Sequence, residues 1–132
     1  MLFISAILIS CKKVNEGDED LDWVTVCVTA TAYNSVESQT QYNPKITAWG
    51  DTLRPGMHAV AVSRDLIKLG LDHNAKIKIE GFDSIFLVKD KMHYRWRNRI
   101  DIYMGNNVKK ARKFGRKKLN ISYVFQKDSI KK

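Results

Sequence analysis

From Trp23 to Tyr33 the chain reads Trp-Val-Thr-Val-Cys-Val-Thr-Ala-Thr-Ala-Tyr, with no glycine, proline or charge and a β-branched residue at six of the eleven positions. Side chains of that kind lose rotamer freedom in a helix and pack well on a pleated surface, so the stretch is expected to be one long strand. Alternation along it puts Thr29, Thr31 and Tyr33 on one face. Several shorter strand-like segments follow, too many and too separated for a helical architecture. They are Ile46 to Trp49, ending at Gly50; His58 to Ser63, with Ala59, Ala61 and Ser63 opposite Val60 and Val62; a hairpin of Ala75 to Glu80 and Ser84 to Val88 around Gly81-Phe-Asp83; Ile100 to Met104; and Leu119 to Phe125. Leu53-Arg-Pro-Gly56 reads as a turn. Asp65 to Leu71, closed by Gly70, is a short helix or turn, and a second helix capped by Asn106 or Asn107 runs through Phe114, with Ala111 and Phe114 inward and Gly115 after its end. Many short strands with little helix favour a closed barrel, which leaves no exposed strand edge.

The length of 132 residues suits one domain, and 44% hydrophobic residues can fill one core. The expected boundaries are a signal segment over 1–10, an acidic tether over 11–22, a barrel over 23–126 and a basic tail over 127–132. Leu2 to Ile9 is apolar but too short to span a bilayer, as in the core of a signal peptide, although no basic residue precedes it. It ends in Leu8-Ile9-Ser10-Cys11, which resembles the bacterial lipobox. That resemblance implies lipidation at Cys11 and a domain anchored in the cell envelope, at the outer membrane facing the periplasm, rather than spanning the bilayer. With Cys11 so used, Cys27 has no partner and is expected to be a small buried residue of its strand. The net charge of +9 raises the local concentration of polyanions without selecting one.

Nucleotide chemistry is poorly supported, because neither phosphate-loop pattern is present. Nor is there a nucleophile elbow, a Cys-x-x-Cys or a His pair at metal-binding spacing among His58, His73 and His93, so no metal and no cofactor are expected. Arg95-Trp96-Arg97-Asn98-Arg99 is a basic cluster interleaved with an aromatic ring, a pattern compatible with nucleic acid, but an exported domain would rarely meet that partner. Lys109 to Lys118 reads as a solvated helix face. Asp90 and Asp101 stand 11 residues apart in this basic surround. On the residues alone they are either structural carboxylates satisfied by arginines or an acid pair with chemistry to do. Alternation puts Asp101 and Tyr103 opposite Ile100, Ile102 and Met104.

Thr29-Ala-Thr-Ala-Tyr33, Ile46-Thr-Ala-Trp-Gly50, Ala61-Val-Ser-Arg-Asp-Leu-Ile-Lys-Leu-Gly70, Val88-Lys-Asp90 and Asn98-Arg-Ile-Asp-Ile-Tyr103 occur in the order seen in the three-aspartate domain. From about Val24 to Val124 the chain resembles that domain, which is found in stationary-phase cell-wall proteins and, more remotely, at the end of membrane-bound lytic transglycosylase A. The resemblance implies a mainly β fold, a six-stranded double-psi β-barrel with one or two short helices. It also implies cleavage of the MurNAc to GlcNAc bond of peptidoglycan to leave a 1,6-anhydro end. Asp101 then maps to the acid and base, Asp90 to the middle aspartate that tunes it or holds substrate, and Thr31, Tyr33, Thr47, Asp65, Arg99 and Tyr103 to substrate contacts. Two departures stand out: the family's Ala-Val-Asp is here Ala61-Val62-Ser63, with an acid only at Asp65, and its Asp-Thr-Gly-Gly is Asp90-Lys-Met-His93.

Three functions are therefore in view. The first is a monomeric, lipid-anchored lytic transglycosylase acting on glycan strands. The second is a noncatalytic wall-binding or wall-loosening module on the same barrel, and the third is a nucleic-acid-binding domain.

Overall fold

The structure is a computed structural model, and it describes residues 22–34 and 45–125. The expected signal segment, Cys11, the tether, most of the 34–44 loop and the basic tail lie outside the described residues. The elements are β1 (Trp23–Tyr33), β2 (Lys45–Ile46), β3 (Thr52–Leu53), β4 (Ala59–Val62), α1 (Arg64–Lys68), β5 (Lys76–Ile79), β6 (Ile85–Lys91), β7 (Arg99–Tyr103), α2 (Val108–Phe114) and β8 (Lys117–Val124). Six strands close into a barrel in the order β1-β7-β4-β6-β5-β8, while β2 and β3 form a separate two-stranded ribbon. The pairs β1/β7 and β4/β6 are parallel and the other four are antiparallel. A parallel pair needs a crossover rather than a tight hairpin, and the barrel holds two such pairs. Strand patterning alone leads one to expect a closed barrel, and the six-stranded double-psi form is the one that the family resemblance implies.

The long first strand earns its length by pairing with two partners. Its first part, Trp23 to Ala30, runs antiparallel to β8, and its last part, Thr29 to Tyr33, runs parallel to β7. Val28 and Ala30 point into the barrel, joined there by Val60, Val62, Ile77, Ile79, Val88, Ile100, Ile102 and Ile121. A second small cluster, Leu53, Ala59 and Tyr103, with Tyr33 and Met57 against it, lies between the ribbon and the barrel wall. β4 is therefore buried along its whole length and not on one face only.

Two expectations are corrected. Cys27 is exposed, because the inward register of β1 belongs to Val24, Val26 and Val28, leaving the intervening position outside. Thr47 to Trp49 do not extend a strand but form the turn of the ribbon, where the Thr47 N–H donates to the Asp51 carbonyl at 2.8 Å and the Gly50 N–H to the Thr47 carbonyl at 2.9 Å. Gly50 sits at φ 85°, which closes that turn without the Cβ strain another residue would meet. The helices fall where expected. The Asn107 side chain caps α2 by accepting from the Lys110 N–H at 2.9 Å, Ala111 is buried and Phe114 packs against the core.

Candidate functional site

Strand register assembles the site. Across four neighbouring strands, Thr31 on β1 pairs with Asp101 on β7, Asp101 with Ala61 on β4, and Ala61 with Asp90 on β6. Asp90 reaches that row because the β4/β6 register shifts between Val60 and Ala61, so that Lys89 is passed over. The two carboxylates thus come from strands two spacings apart, about 10 Å between backbones, with Ala61 on the strand between them. Separation by 11 residues in sequence becomes adjacency in one ladder row.

Each carboxylate is held by short, local contacts. The Thr31 hydroxyl donates to Asp101 Oδ1 at 3.1 Å. Asp90 Oδ1 accepts from the Ala48 N–H and from the Lys91 N–H, both at 2.9 Å. Thr47 makes the first of these possible: its buried hydroxyl oxygen accepts from the Asp51 N–H at 3.0 Å, tightening the turn that presents Ala48. Tyr33 packs its ring on Tyr103 at 5.4 Å between centroids. Burial first, then the charges of Asp90 and Asp101 and finally Tyr103, push the Tyr33 hydroxyl far above the ordinary tyrosine range. It remains a neutral O–H donor wherever the protein is folded near neutrality.

A folded-state value raised above the unfolded one favours the native state below pH ~10 and withdraws that support as pH rises further. In an alkaline spectrophotometric titration, Tyr33 is therefore expected to ionise only as the barrel unfolds. Tyr33→Phe should remove amplitude from that late phase and leave the early phase unchanged. Tyr123, also raised by burial, accounts for late amplitude that persists in the variant.

Asp65 and Arg99 act at the start of β7, not in the carboxylate row. Asp65 Oδ2 accepts from the Asn98 N–H at 2.9 Å, and Ser63 Oγ accepts from the Arg99 N–H at 2.9 Å. Asn98 adopts φ 50° and donates from its amide to the Cys27 carbonyl at 3.1 Å. These contacts fix where β7 begins and hence where Asp101 arrives, three residues on. Burial pushes the Asp65 carboxyl up, but hydrogen bonds from the Ser63 side chain and the Asn98, Asp65 and Leu66 backbone outweigh it, and the net shift is downward. A depressed value stabilises the fold above the ordinary carboxylate range and loses that stabilisation as pH falls through it. Asp65→Asn is expected to cost about 1–2 kcal/mol at neutral pH, with the gap to the parent closing as melting is measured below pH ~4.

Sequence reasoning missed a neighbouring polar cluster. The Trp49 ring stacks on His73 at 5.0 Å, His73 Nε2 bonds Asp51 Oδ2, and Lys89 lies 3.6 Å from Asp51 Oδ1. Lys91 Nζ sits 5.2 Å from the Trp49 centroid, so the cluster adjoins the strand that carries Asp90. Trp49 and His73 are 24 residues apart with no shared motif, and nothing short of the fold brings them together. The Arg95-Trp96-Arg99 group folds on itself, with the two guanidinium carbons 4.8 and 4.2 Å from the Trp96 centroid. No group of three metal-ligating side chains is gathered among the described residues.

No known family profile matches this chain, and no curated protein matches it. Among the solved structures that align with it are the apo expansin of Clavibacter michiganensis, at 20% identity and a TM-score of 0.49, and a point mutant of that expansin in complex with cellohexaose, at 16% identity and a TM-score of 0.47. Each alignment covers 80% of this chain and 52% of the other, so the chain spans about half the length of the structures it is similar to.

Proposed function

We propose that the barrel is a cell-wall module that holds peptidoglycan glycan strands across β1, β7, β4 and β6. The observation that carries this reading is the ladder row of Thr31, Asp101, Ala61 and Asp90. A small apolar floor between two carboxylates offers acceptors for sugar hydroxyls and a surface for a ring face. The ordered motifs that resemble those of the three-aspartate domain support the same polymer.

A second reading places cleavage on that row, and the fixed hydroxyl of Thr31 on Asp101 favours it, since a catalytic carboxyl needs a defined orientation. In this reading Asp101 acts alone. Its carboxylic acid protonates the bridging oxygen as the C1–O bond of the MurNAc residue breaks. The resulting carboxylate then takes the proton of the sugar's C6 hydroxyl as that oxygen bonds to C1, giving the 1,6-anhydro end and regenerating the acid. No water is consumed, so no second carboxyl at fixed separation is needed. Asp90, held by two backbone donors, serves as a fixed negative neighbour.

Incubation with purified, insoluble peptidoglycan tests both readings. Sedimentation of the protein with the wall supports the binding module, and release of anhydro-muropeptides detected by mass spectrometry supports cleavage. Failure to sediment with wall material, together with salt-sensitive binding to DNA or RNA, would overturn both.

A further inference from the structure

Behind Thr31, on the side away from Ala61, an open cavity of about 570 Å³ lies between β1, β7 and α2. Arg99, Arg112 and Arg116 line it, and among the described residues no acidic side chain does. Their convergence is built by the chain. Arg99 pairs in register with Thr29 on the parallel neighbour. Arg112 sits in the last turn of α2, and Gly115, at φ 65°, turns the chain so that Arg116 returns to the same opening. Two features distinguish Arg99 from the other two arginines. Its Nε is buried with no hydrogen-bond partner among the described residues. Its guanidinium carbon lies 4.2 Å from the Trp96 centroid, which fixes the plane of the fork. A buried donor left unpaired is costly, and a carboxylate is the planar acceptor that fits a guanidinium fork. The arginines also offset the partial negative charge of the carbonyl end of α2.

We propose that this cavity is a carboxylate subsite that takes the acidic peptide stem of peptidoglycan. The assignment rests on the cell-wall reading above and gives it a substrate preference: a strand bearing stems over a neutral glycan. Thr31 both lines the cavity and bonds Asp101, so a stem seated here places its sugar next to the carboxylate row. The basic segment from Lys109 to Lys118 then contributes particular side chains, Arg112 and Arg116, rather than a uniformly solvated face.

The test compares binding to purified peptidoglycan with binding to the same material after its carboxyls are capped as amides with carbodiimide and ethanolamine. The parent protein is expected to lose roughly tenfold in affinity on capping, the loss of one good charge-assisted pair. The double variant Arg112→Gln/Arg116→Gln should bind uncapped wall about tenfold less tightly than the parent and show no further loss on capping. Lys68→Gln/Lys76→Gln removes the same charge from exposed positions elsewhere and should keep the parent's sensitivity. Equal sensitivity in the arginine variant, or a comparable loss in the lysine variant, overturns the subsite while leaving wall binding intact. A second readout is independent of wall binding: titration with the soluble dipeptide alanyl-γ-glutamate should shift the Arg99 Nε–H signal in the NMR spectrum. If wall binding is absent but this shift occurs, the anion site stands and the cell-wall reading falls. If the dipeptide leaves Arg99 unmoved, the subsite is overturned.

Discussion

Asp101→Asn is expected to lower the release of anhydro-muropeptides by at least a hundredfold while leaving sedimentation with peptidoglycan within about threefold of the parent. Asn is nearly isosteric with Asp and can still accept from the Thr31 hydroxyl, so the ladder row and the barrel around it are preserved. What it cannot do is give a proton to the bridging oxygen and later recover one from the C6 hydroxyl. In a mechanism that uses one carboxyl for both transfers, a single substitution removes both, and the loss falls on the turnover rate rather than on binding. Asp90→Asn separates the roles further. Oδ1 of that residue is already occupied by two backbone donors, so its amide counterpart keeps the geometry and loses only the charge. Its effect on product release is expected to be smaller than that of Asp101→Asn. If the parent releases no anhydro product but sediments with the wall, the carboxylate row is a binding floor alone, and Asp101→Asn then changes affinity without changing any rate.

Much of this arrangement can be read from local sequence, and the remainder depends on register. The long strand through Tyr33, the hairpin around Gly81, the Asn107 cap and the outward placement of Asp101 follow from alternation and turn chemistry, which act over a few residues. Thr31 beside Asp101 is different. It requires a parallel pairing between residues 70 positions apart, and the ordered motifs implied that proximity where periodicity could not. Thr47 shows the limit of motif transfer: the resemblance implies a substrate contact, and in the structure its hydroxyl oxygen accepts a turn hydrogen bond. The hidden parts are contacts with no local signature. The Trp49-His73 stack and the shift that skips Lys89 arise from a crossover and a bulge, and the return of Arg116 towards Arg99 from the turn at Gly115 after α2. Cys27 was misjudged for a simpler reason. It shares the parity of Thr29 and Thr31, so the alternation that turns Val24, Val26 and Val28 inward leaves it on the outer face, in register with Asn120 of β8.

The same dependence on register makes Ile100→Ala the stability change with the largest expected effect. Ile100 is fully buried and sits in the middle of the barrel wall, in register with Ala30 on one side and Val62 on the other. Truncating such a side chain removes apolar contact and leaves a cavity that strands hydrogen-bonded on both edges cannot close, at a cost of about 2–5 kcal/mol. For a domain near 100 residues this corresponds to a fall in melting temperature of roughly 10–30 °C, a large part of the whole stability. Ile46→Ala is the contrasting case: Ile46 is 62% exposed on the two-stranded ribbon, and its truncation should change stability by no more than ~0.5 kcal/mol. The effect of Ile100 also reaches the site. Because successive strand residues face opposite ways, the grip of the core on Ile100 is what keeps Asp101 turned outward beside Thr31. Ile100→Val, which keeps most of that grip, should cost about 0.5–1.5 kcal/mol and leave wall binding unchanged. Calorimetric melting of the three variants, paired with sedimentation on peptidoglycan, checks the ordering. An Ile100→Ala protein that melts like the parent would show that β7 is not held by the core as its register requires.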